Sequence, residues 1–427
     1  MKKQGTRAVG LALAVVLTAA ACSTKAADTS GGGTGGEGGG DPSELLTDSG
    51  VTDDTITLGI LTDLTGPFAA LSTAIVQGNQ LVYDKINEDG GICDRQIELI
   101  VEDHGYDVQR AVQLYAQVEP DVLGMTQLIG SPMTTALLDT ITETEMVTAP
   151  ASWASTLLEN PYILMAGTTY DLEMINGLQY LLDEGIIAEG DTIGALYVEG
   201  EYGANGFAGV EYAAEALGLE VVEATLKSTD TDATSVISQF AQAGVTAVAL
   251  TTTPTQTASA VGVGAQALPG VVFLGNNPTF SPGLLATEVA PALVANFLLT
   301  ASALPFSADT PEVEQLRSEY AEAYPDEPGN GGVTYGYGVA TIYGQVLQTA
   351  CDNGDMTRAG LLAALQQTNE AVTGVIAPLD FSEEGAPASR EIYIAAPDTE
   401  AEGGLTVVAE LFTTDLAQEY VAPAQGD

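Results

Sequence analysis

Positively charged residues are scarce in this sequence. Its 427 residues include 11 lysines and arginines but 58 aspartates and glutamates, which gives a formal net charge of −47 at pH 7. Because a field of this sign repels polyanions, the composition excludes nucleic acids and anionic membrane surfaces as binding partners. The acids are spread along the chain, which is typical of a solvated acidic surface rather than of one dedicated acidic site.

Residues that carry out enzyme chemistry are also few. His104 is the only histidine, and the GxSxG motif of a hydrolase nucleophile does not occur. The GEYGANG segment at 200–206 lacks the basic residue of a P-loop and does not match the GxGxxG dinucleotide motif. The cysteines are far apart, and no DxDxDG calcium loop is present. We therefore predict a protein that is not an enzyme and needs neither a metal nor a cofactor, with His104 in a loop or at the surface.

Long hydrophobic runs are missing except near the N-terminus. Three basic residues precede an apolar run at 8–21, which is too short to span a bilayer and ends at Cys22. Residues 1–21 resemble a bacterial lipoprotein signal, in which the cysteine is lipidated; an ordinary signal peptide cleaved nearby is the alternative. Residues 22–50 contain GGGTGGEGGG and predict a flexible tether. The expected location is therefore extracytoplasmic, with a lipid on Cys22 as the anchor to the outer face of the cell membrane.

Cysteine is rare as well. Three are present, and lipidation would account for Cys22. Cys93 and Cys351 remain, in a compartment that permits disulfides. A bond between them would join two distant parts of the chain, whereas two buried thiols are the alternative. The residues alone leave both open.

The chain is rich in alternating strand-like and helix-like segments. From residue 55 onwards, short apolar strands alternate with amphipathic helices, beginning with strands at 55–61 and 96–102, and the pattern restarts after Asp171. Such alternation favours parallel, doubly wound sheets, and its repetition predicts an α/β fold with two similar lobes. Near the C-terminus, 375–381 and 392–396 are expected to form a closing hairpin-like pair.

The segment 123–155 has the most informative local pattern. It is predicted to contain, in order, a strand ending at Gly130, a helix over 133–143, a strand over 146–149 and a turn over 150–153. Ser131 is a typical N-cap and Pro132 a typical first helical residue. Because ligands bind beyond the carboxyl ends of strands in open α/β sheets, this edge is a candidate site for an anionic group. The alternative is that Ser131 only caps its helix and Trp153 only packs.

Several short motifs occur in the order found in a known family. They are TDLTGPFAA at 62–70, Gly-Gly-Ile at 90–92, GSPMTTA at 130–136, the segment 149–152, Tyr202-Gly203 and the segment 374–381. Together they resemble the leucine/isoleucine/valine-binding type of periplasmic binding protein over nearly all of 51–408. The resemblance implies a solute-binding component of an ABC importer, which presents its ligand to permease subunits. The expected ligand is small and polar or amphipathic: a branched-chain or other hydrophobic amino acid, an amide or a related carboxylate. A membrane-anchored extracellular sensor of the same fold is the alternative function.

The resemblance also implies a type I fold, in which three crossovers join two lobes. The expected boundaries are 52–168 with 303–377 for lobe 1, and 169–302 with 378–427 for lobe 2. Cys93 and Cys351 would then share lobe 1, which favours their pairing. The ligand is expected in the cleft between the lobes, which close on it as hinged bodies.

Matched position by position, the resemblance implies a set of ligand contacts. They are Ser131, Ala151, Ser152, Trp153, Tyr202, Thr252, Asn276 and Asn277. Ser131 and the turn at 151–153 would hold a carboxylate-like group, and Tyr202 would close over the ligand. Trp153 would stack on the ligand unless it only packs within its lobe. Thr252 would contribute a hydroxyl unless it and Thr253 only cap the following helix.

The sequence departs from the family at Asn276 and Asn277. Amino-acid-binding relatives usually place an acid near here that pairs with the α-ammonium of the ligand. Two neutral amides do not supply that charge. Either Glu199, Glu201 or Asp171 compensates, or the ligand lacks a cationic amine.

Overall fold

The computed structural model describes residues 45–422. The expected signal peptide, Cys22 and most of the tether therefore lie outside the described residues. Within this range the helices are α1 (Ala69–Glu88), α2 (Val108–Val118), α3 (Ser131–Glu143), α4 (Tyr170–Asp183), α5 (Glu201–Leu217), α6 (Thr234–Ala243), α7 (Pro254–Ala267), α8 (Ala290–Asn296), α9 (Pro311–Ala323), α10 (Gly331–Asp352), α11 (Arg358–Gln366) and α12 (Asp415–Glu419). The strands are β1 (Leu46–Thr47), β2 (Thr55–Thr62), β3 (Gln96–Asp103), β4 (Gly124–Ile129), β5 (Thr148–Ala151), β6 (Thr192–Val198), β7 (Glu220–Leu226), β8 (Ala247–Thr251), β9 (Val272–Gly275), β10 (Phe297–Ala301), β11 (Asp355–Met356), β12 (Ile392–Pro397) and β13 (Leu405–Phe412). No helix in this part of the chain is both long enough and apolar enough to cross a membrane.

The first large sheet has four parallel strands in the order β3–β2–β4–β5. The sequence of β2, TITLGILT, alternates at first and then becomes continuously apolar, and its last five residues are all buried. This pattern is typical of a central strand that is covered on both faces. β2 pairs with β3 along its whole length, from Thr55 opposite Gln96 to Thr62 opposite Asp103. The predicted strands at 55–61 and 96–102 are therefore confirmed.

Helices α1 and α10 pack closely because glycines remove side chains at their contact. A Cβ at Gly78 would lie 2.4 Å from the carbonyl oxygen of Val333, and one at Gly336 would lie 2.2 Å from that of Ile75. The side-chain amide of Asn79 donates to the carbonyl of Gly336 over 2.8 Å. The late helix α10 is thereby placed beside the first sheet.

A disulfide between Cys93 and Cys351 fastens the same two helices. Cys93 follows α1 and Cys351 lies in the last turn of α10, with their Cα atoms 5.8 Å apart. The expected pairing is confirmed, and the alternative of two buried thiols is wrong. Because 258 positions separate the two residues, the bond strongly restricts the unfolded chain.

The second large sheet has seven strands in the order β13–β12–β10–β9–β8–β6–β7. The five strands from β10 to β7 are parallel, whereas β12 is antiparallel to both β10 and β13. The closing pair predicted at 375–381 and 392–396 is partly wrong, since 392–396 lies in β12 but pairs with β13 and β10. The segment 375–381 forms isolated bridges only, between Ile376 and Ala303 and between Leu379 and Ala371.

The chain passes between the two large sheets three times. It leaves the first sheet after β5, returns after β10 to form α9 and α10, and crosses again before β12. Two crossing segments touch, because Thr168 bridges Ser389. This is the two-lobed α/β fold with three crossovers that the resemblance implies. The exact lobe boundaries stay a prediction, and the described residues belong to a single compact unit.

Candidate ligand-binding site

The turn between β4 and α3 depends on Gly130. This residue has a φ of 100°, a conformation that favours glycine, and a Cβ there would lie 2.1 Å from Cε of Met133. Gly130 is the N-cap, and Ser131 is the first helical residue, with no capping hydrogen bond from its side chain. The expectation that Ser131 is the N-cap and Pro132 the first helical residue is therefore wrong by one position. The hydroxyl of Ser131 is left for other partners.

Ser131 instead belongs to a buried cluster of hydroxyl groups. Ser152 donates to Ser131 over an Oγ–Oγ distance of 2.7 Å, and Tyr170 lines the same small cavity as Ser131. Burial raises the pKa of the Tyr170 phenol well above its ordinary value, so this group stays protonated and able to donate. The first backbone N–H groups of α3 begin at the same place and have no carbonyl partner within the helix. Such a collection of donors suits an anionic group.

Trp153 follows the end of β5 and has two roles. Its Nε1 donates to the carbonyl of Ala166 over 3.2 Å, which anchors the ring within the protein. The ring also meets Tyr335 and Tyr170 edge-on, at centroid distances of 4.8 Å and 5.8 Å. The ring is therefore packed among other aromatic side chains, as one of the two alternatives for Trp153 expected.

A small cavity of about 20 Å³ lies where these elements meet, enough for roughly one water molecule. Its walls come from elements of both large sheets: Phe68, Leu71, Tyr106, Ile129, Gly130, Ser131, Ala151, Trp153, Tyr170, Tyr202 and Pro278. The structure thus brings together four of the predicted contacts, Ser131, Ala151, Trp153 and Tyr202. Ser152 lies directly against Ser131.

Tyr202 closes the cavity from the side of the second sheet. Its hydroxyl donates to Oδ1 of Asn276 over 2.7 Å and lies 3.2 Å from the carbonyl oxygen of Thr252. Its ring meets Tyr170 edge-on at 4.8 Å. Asn276 is fully buried, and its Nδ2 has no hydrogen-bond partner. An unpartnered buried donor costs about 1–3 kcal/mol, but Asn276 is not among the residues that line the cavity and meets it only through Tyr202.

Two predicted contacts lie away from the cavity. The hydroxyl of Thr252 is hydrogen-bonded to that of Thr257 over 2.7 Å, so Thr252 meets Tyr202 only through its carbonyl. Its neighbour Thr253 caps α7 in a reciprocal capping box, as the alternative interpretation expected. Asn277 lines a separate cavity, which is described below.

None of the acids expected to replace the missing charge lines the cavity. The carboxylate of Asp171 is engaged within 3.2 Å by four side chains, those of Ser155, Thr169, Asn205 and Tyr420. Glu201 accepts from Thr156 over 2.5 Å, and Glu199 is exposed. Across residues 45–422, no three His, Cys, Asp or Glu side chains are grouped as a metal ion would require.

Sequence reasoning missed Glu173, a buried acid close to the cavity. It lies in the first turn of α4, near Tyr170 and Tyr202, and is not exposed at all. One carboxyl oxygen accepts from the backbone N–H of Asn277 over 3.3 Å, and the other has no partner. Burial raises the pKa of Glu173 well above its ordinary value and so favours the neutral acid.

Two further residues that line the cavity, Phe68 and Tyr106, are held in place by buried polar groups. Their ring centroids are 5.0 Å apart. Asp63 accepts from the backbone N–H of Phe68 over 2.9 Å, and Nδ1 of His104 accepts from that of Tyr106 over 3.0 Å. His104 is buried rather than at the surface, and burial lowers its pKa, which favours the neutral imidazole. The TDLTGPFAA motif, which contains Asp63 and Phe68, is the sequence signal for this wall.

Comparison with known proteins identifies relatives of the whole two-lobed body. A family model described as periplasmic binding protein matches residues 55–403. A fatty acid ABC transporter substrate-binding protein from Thermomonospora curvata is 42% identical, with a TM-score of 0.88 over 90% of this chain and 98% of that one. A branched chain amino acid ABC transporter from Thermus thermophilus with bound valine is 20% identical, with a TM-score of 0.75 over 88% and 99% of the two chains. No match was found among curated proteins.

A leucine binding protein from Thermotoga maritima is 17% identical, with a TM-score of 0.72 over 84% of this chain and 99% of that one. This structure and the valine complex share the fold with the present chain. The family model and the 42% identical relative establish kinship, because both cover most of the chain. The resemblance found in the sequence is confirmed: the chain belongs to the periplasmic binding protein family and has its type I fold.

Proposed function

We propose that this protein is the extracytoplasmic substrate-binding component of an ABC importer and that its ligand is a carboxylate with an apolar chain. The observation that carries this proposal is the polarity of the cavity. Ser131, Ser152 and Tyr170 supply hydroxyls at one end, and no aspartate or glutamate is among the lining residues of the described chain. An α-amino acid requires both a set of donors and a negative partner for its ammonium. A fatty acid requires the donors alone.

The remaining walls support the same ligand class. Phe68, Leu71, Trp153 and Tyr202 offer apolar surface, which suits a hydrocarbon chain. The relative at 42% identity is named as a fatty acid ABC transporter substrate-binding protein, whereas the one named for branched chain amino acids is 20% identical. Sequence identity to these relatives and the chemistry of the cavity therefore both favour a carboxylate with an apolar chain.

Closure of the two lobes would couple ligand binding to delivery. Ser131 and Tyr202 belong to elements of different sheets, so a ligand that touches both binds the closed form best and increases its population. The permease subunits would then recognise the closed, loaded form. A lipid on Cys22 and the tether at 22–50 would keep the protein at the outer face of the membrane.

A thermal-shift screen tests the proposed ligand class. The chain from residue 44 onwards, one compact unit, is heated with octanoate, dodecanoate, methyl octanoate, octylamine, leucine, valine or urea. A ligand at a hundred times its Kd stabilises the folded state by about 2.7 kcal/mol. We expect octanoate and dodecanoate to raise the Tm. The ester, the amine and urea should leave the Tm unchanged. A larger shift with leucine or valine than with either acid would contradict the proposal.

A further inference from the structure

A second cavity lies beside the first. Its volume is about 50 Å³, and its walls are Ala70, Leu71, Asn277, Phe280, Ser281, Pro282, Leu299, Asn330, Gly331, Gly332, Gly403 and Leu405. Leu71 borders both cavities, and Asn277 of the second directly precedes Pro278 of the first. One side chain and one short backbone segment therefore stand between the two spaces.

The walls of the second cavity are mainly apolar. Phe280, Leu299 and Leu405 are buried, and no charged side chain is among its lining residues in the described chain. The side chain of Asn330 accepts from the backbone N–H of Gly332 over 2.8 Å, which caps α10. This polar group is already engaged, so the space suits a hydrocarbon better than a polar ligand.

We propose that the second cavity receives the far end of the ligand's apolar chain and makes the protein selective for longer acids. With the carboxylate at Ser131, the first cavity has little room for the chain that follows, since its volume is about 20 Å³. The adjacent apolar space lies past Leu71, whose side chain forms part of both walls. This inference rests on the proposed function, because it concerns the tail of the same ligand.

Gly331 offers a way to fill the second cavity without disturbing the fold. A Cβ at Gly331 would meet no heavy atom within 4 Å, whereas one at the next residue, Gly332, would lie 2.9 Å from Cβ of Ala74. Gly331 is the first residue of α10 and its φ lies outside the left-handed region, so a larger residue is tolerated there. A leucine at this position would occupy the space proposed for the end of the chain.

The test is a chain-length series of saturated fatty acids, from butanoate to hexadecanoate, titrated calorimetrically into wild type and Gly331→Leu. For wild type, each methylene that enters the cavities should tighten binding about fourfold, and the gain should continue beyond octanoate. In Gly331→Leu, dodecanoate should bind about tenfold more weakly or worse, because its end is excluded. Butanoate, the shortest acid of the series, does not reach past Leu71, so its affinity should change by less than about twofold.

Gly283→Leu is the matched control, because Gly283 is exposed and its Cβ would meet only Oγ of Ser281, at 3.9 Å. This variant should keep the wild-type chain-length profile. If Gly331→Leu does not fold, Gly331→Ala takes its place and should shorten the preferred chain by roughly one methylene. A full wild-type profile in the Gly331 variants would refute the second cavity as a tail site and leave the proposed function intact. Failure of wild type to bind any acid would overturn both.

Discussion

The role of the Ser131 hydroxyl depends on the backbone conformation beside it. A serine after a strand and before a proline fits both roles, and the sequence left both open. The backbone decides between them, because Gly130 adopts the positive φ and becomes the cap. The hydroxyl then meets Ser152 instead. The turn between β4 and α3 could thus be predicted, but the conformation of one glycine determines which groups the Ser131 hydroxyl meets.

Replacing Ser131 by alanine should weaken the binding of octanoate and should also lower the stability moderately. Hydrogen bonds to charged groups contribute about 1.5–3 kcal/mol, so the Kd should rise about tenfold to a hundredfold. The free energy of unfolding should fall by about 1–3 kcal/mol, because the buried hydroxyl of Ser152 loses its hydrogen-bond partner. Calorimetric titration and urea unfolding measure the two quantities.

The matched control for this variant is Thr135→Ala, which removes an exposed hydroxyl from the same helix. It should leave both the Kd and the stability as in wild type. Unchanged octanoate affinity in Ser131→Ala would mean that the carboxylate binds elsewhere.

At the scale of single elements, the first turn of α4 combines two buried acids with different roles. Asp171 is hydrogen-bonded on all sides, whereas Glu173 has one oxygen without a partner. The positive end of the helix dipole favours negative charge here, but for Glu173 desolvation outweighs it and raises the pKa well above 4.5. The folded protein therefore keeps a proton that the unfolded chain loses above about pH 4.5.

Glu173→Gln should alter the pH dependence of stability in a defined direction. As pH rises from about 4.5 towards the folded pKa, the wild type loses unfolding free energy, because the unfolded state binds fewer protons. Glutamine does not ionise, so the variant should gain stability relative to wild type between pH 5 and pH 7. Urea unfolding at several pH values measures this difference. Glu215→Gln, at an exposed position, should not produce this pH-dependent gain in stability. If the difference in unfolding free energy between Glu173→Gln and wild type is constant from pH 5 to pH 7, Glu173 ionises in the fold.

The strands and helices themselves could largely be predicted from periodicity. The strands at 55–61 and 96–102 are examples, since their residues have the pattern of a covered parallel sheet. The segment 375–381 shows where periodicity fails. It is apolar because Val375, Ile376 and Leu379 are buried as the chain crosses between lobes, and burial of a crossing segment resembles that of a strand.

At the scale of the whole molecule, the two-lobed fold could be predicted but the shape of the site could not. Alternating strands and helices, together with the ordered motifs, indicate the fold. They also indicate the turn between β4 and α3, which lines one side of the first cavity. Tyr106, Tyr170 and Glu173 were missed because their burial depends on elements that meet only after both lobes have formed. The two small cavities, which share Leu71 as a wall, likewise form only where these elements meet.

The most direct test of the account uses the fluorescence of Trp153. It is the only tryptophan in the sequence and forms a wall of the first cavity, so its emission reports on that site alone. We predict a saturable change in emission on titration with octanoate, a weaker response in Ser131→Ala and no response to leucine or octylamine. A saturable response to leucine at lower concentrations than to octanoate would contradict the assignment of an apolar carboxylate as the ligand.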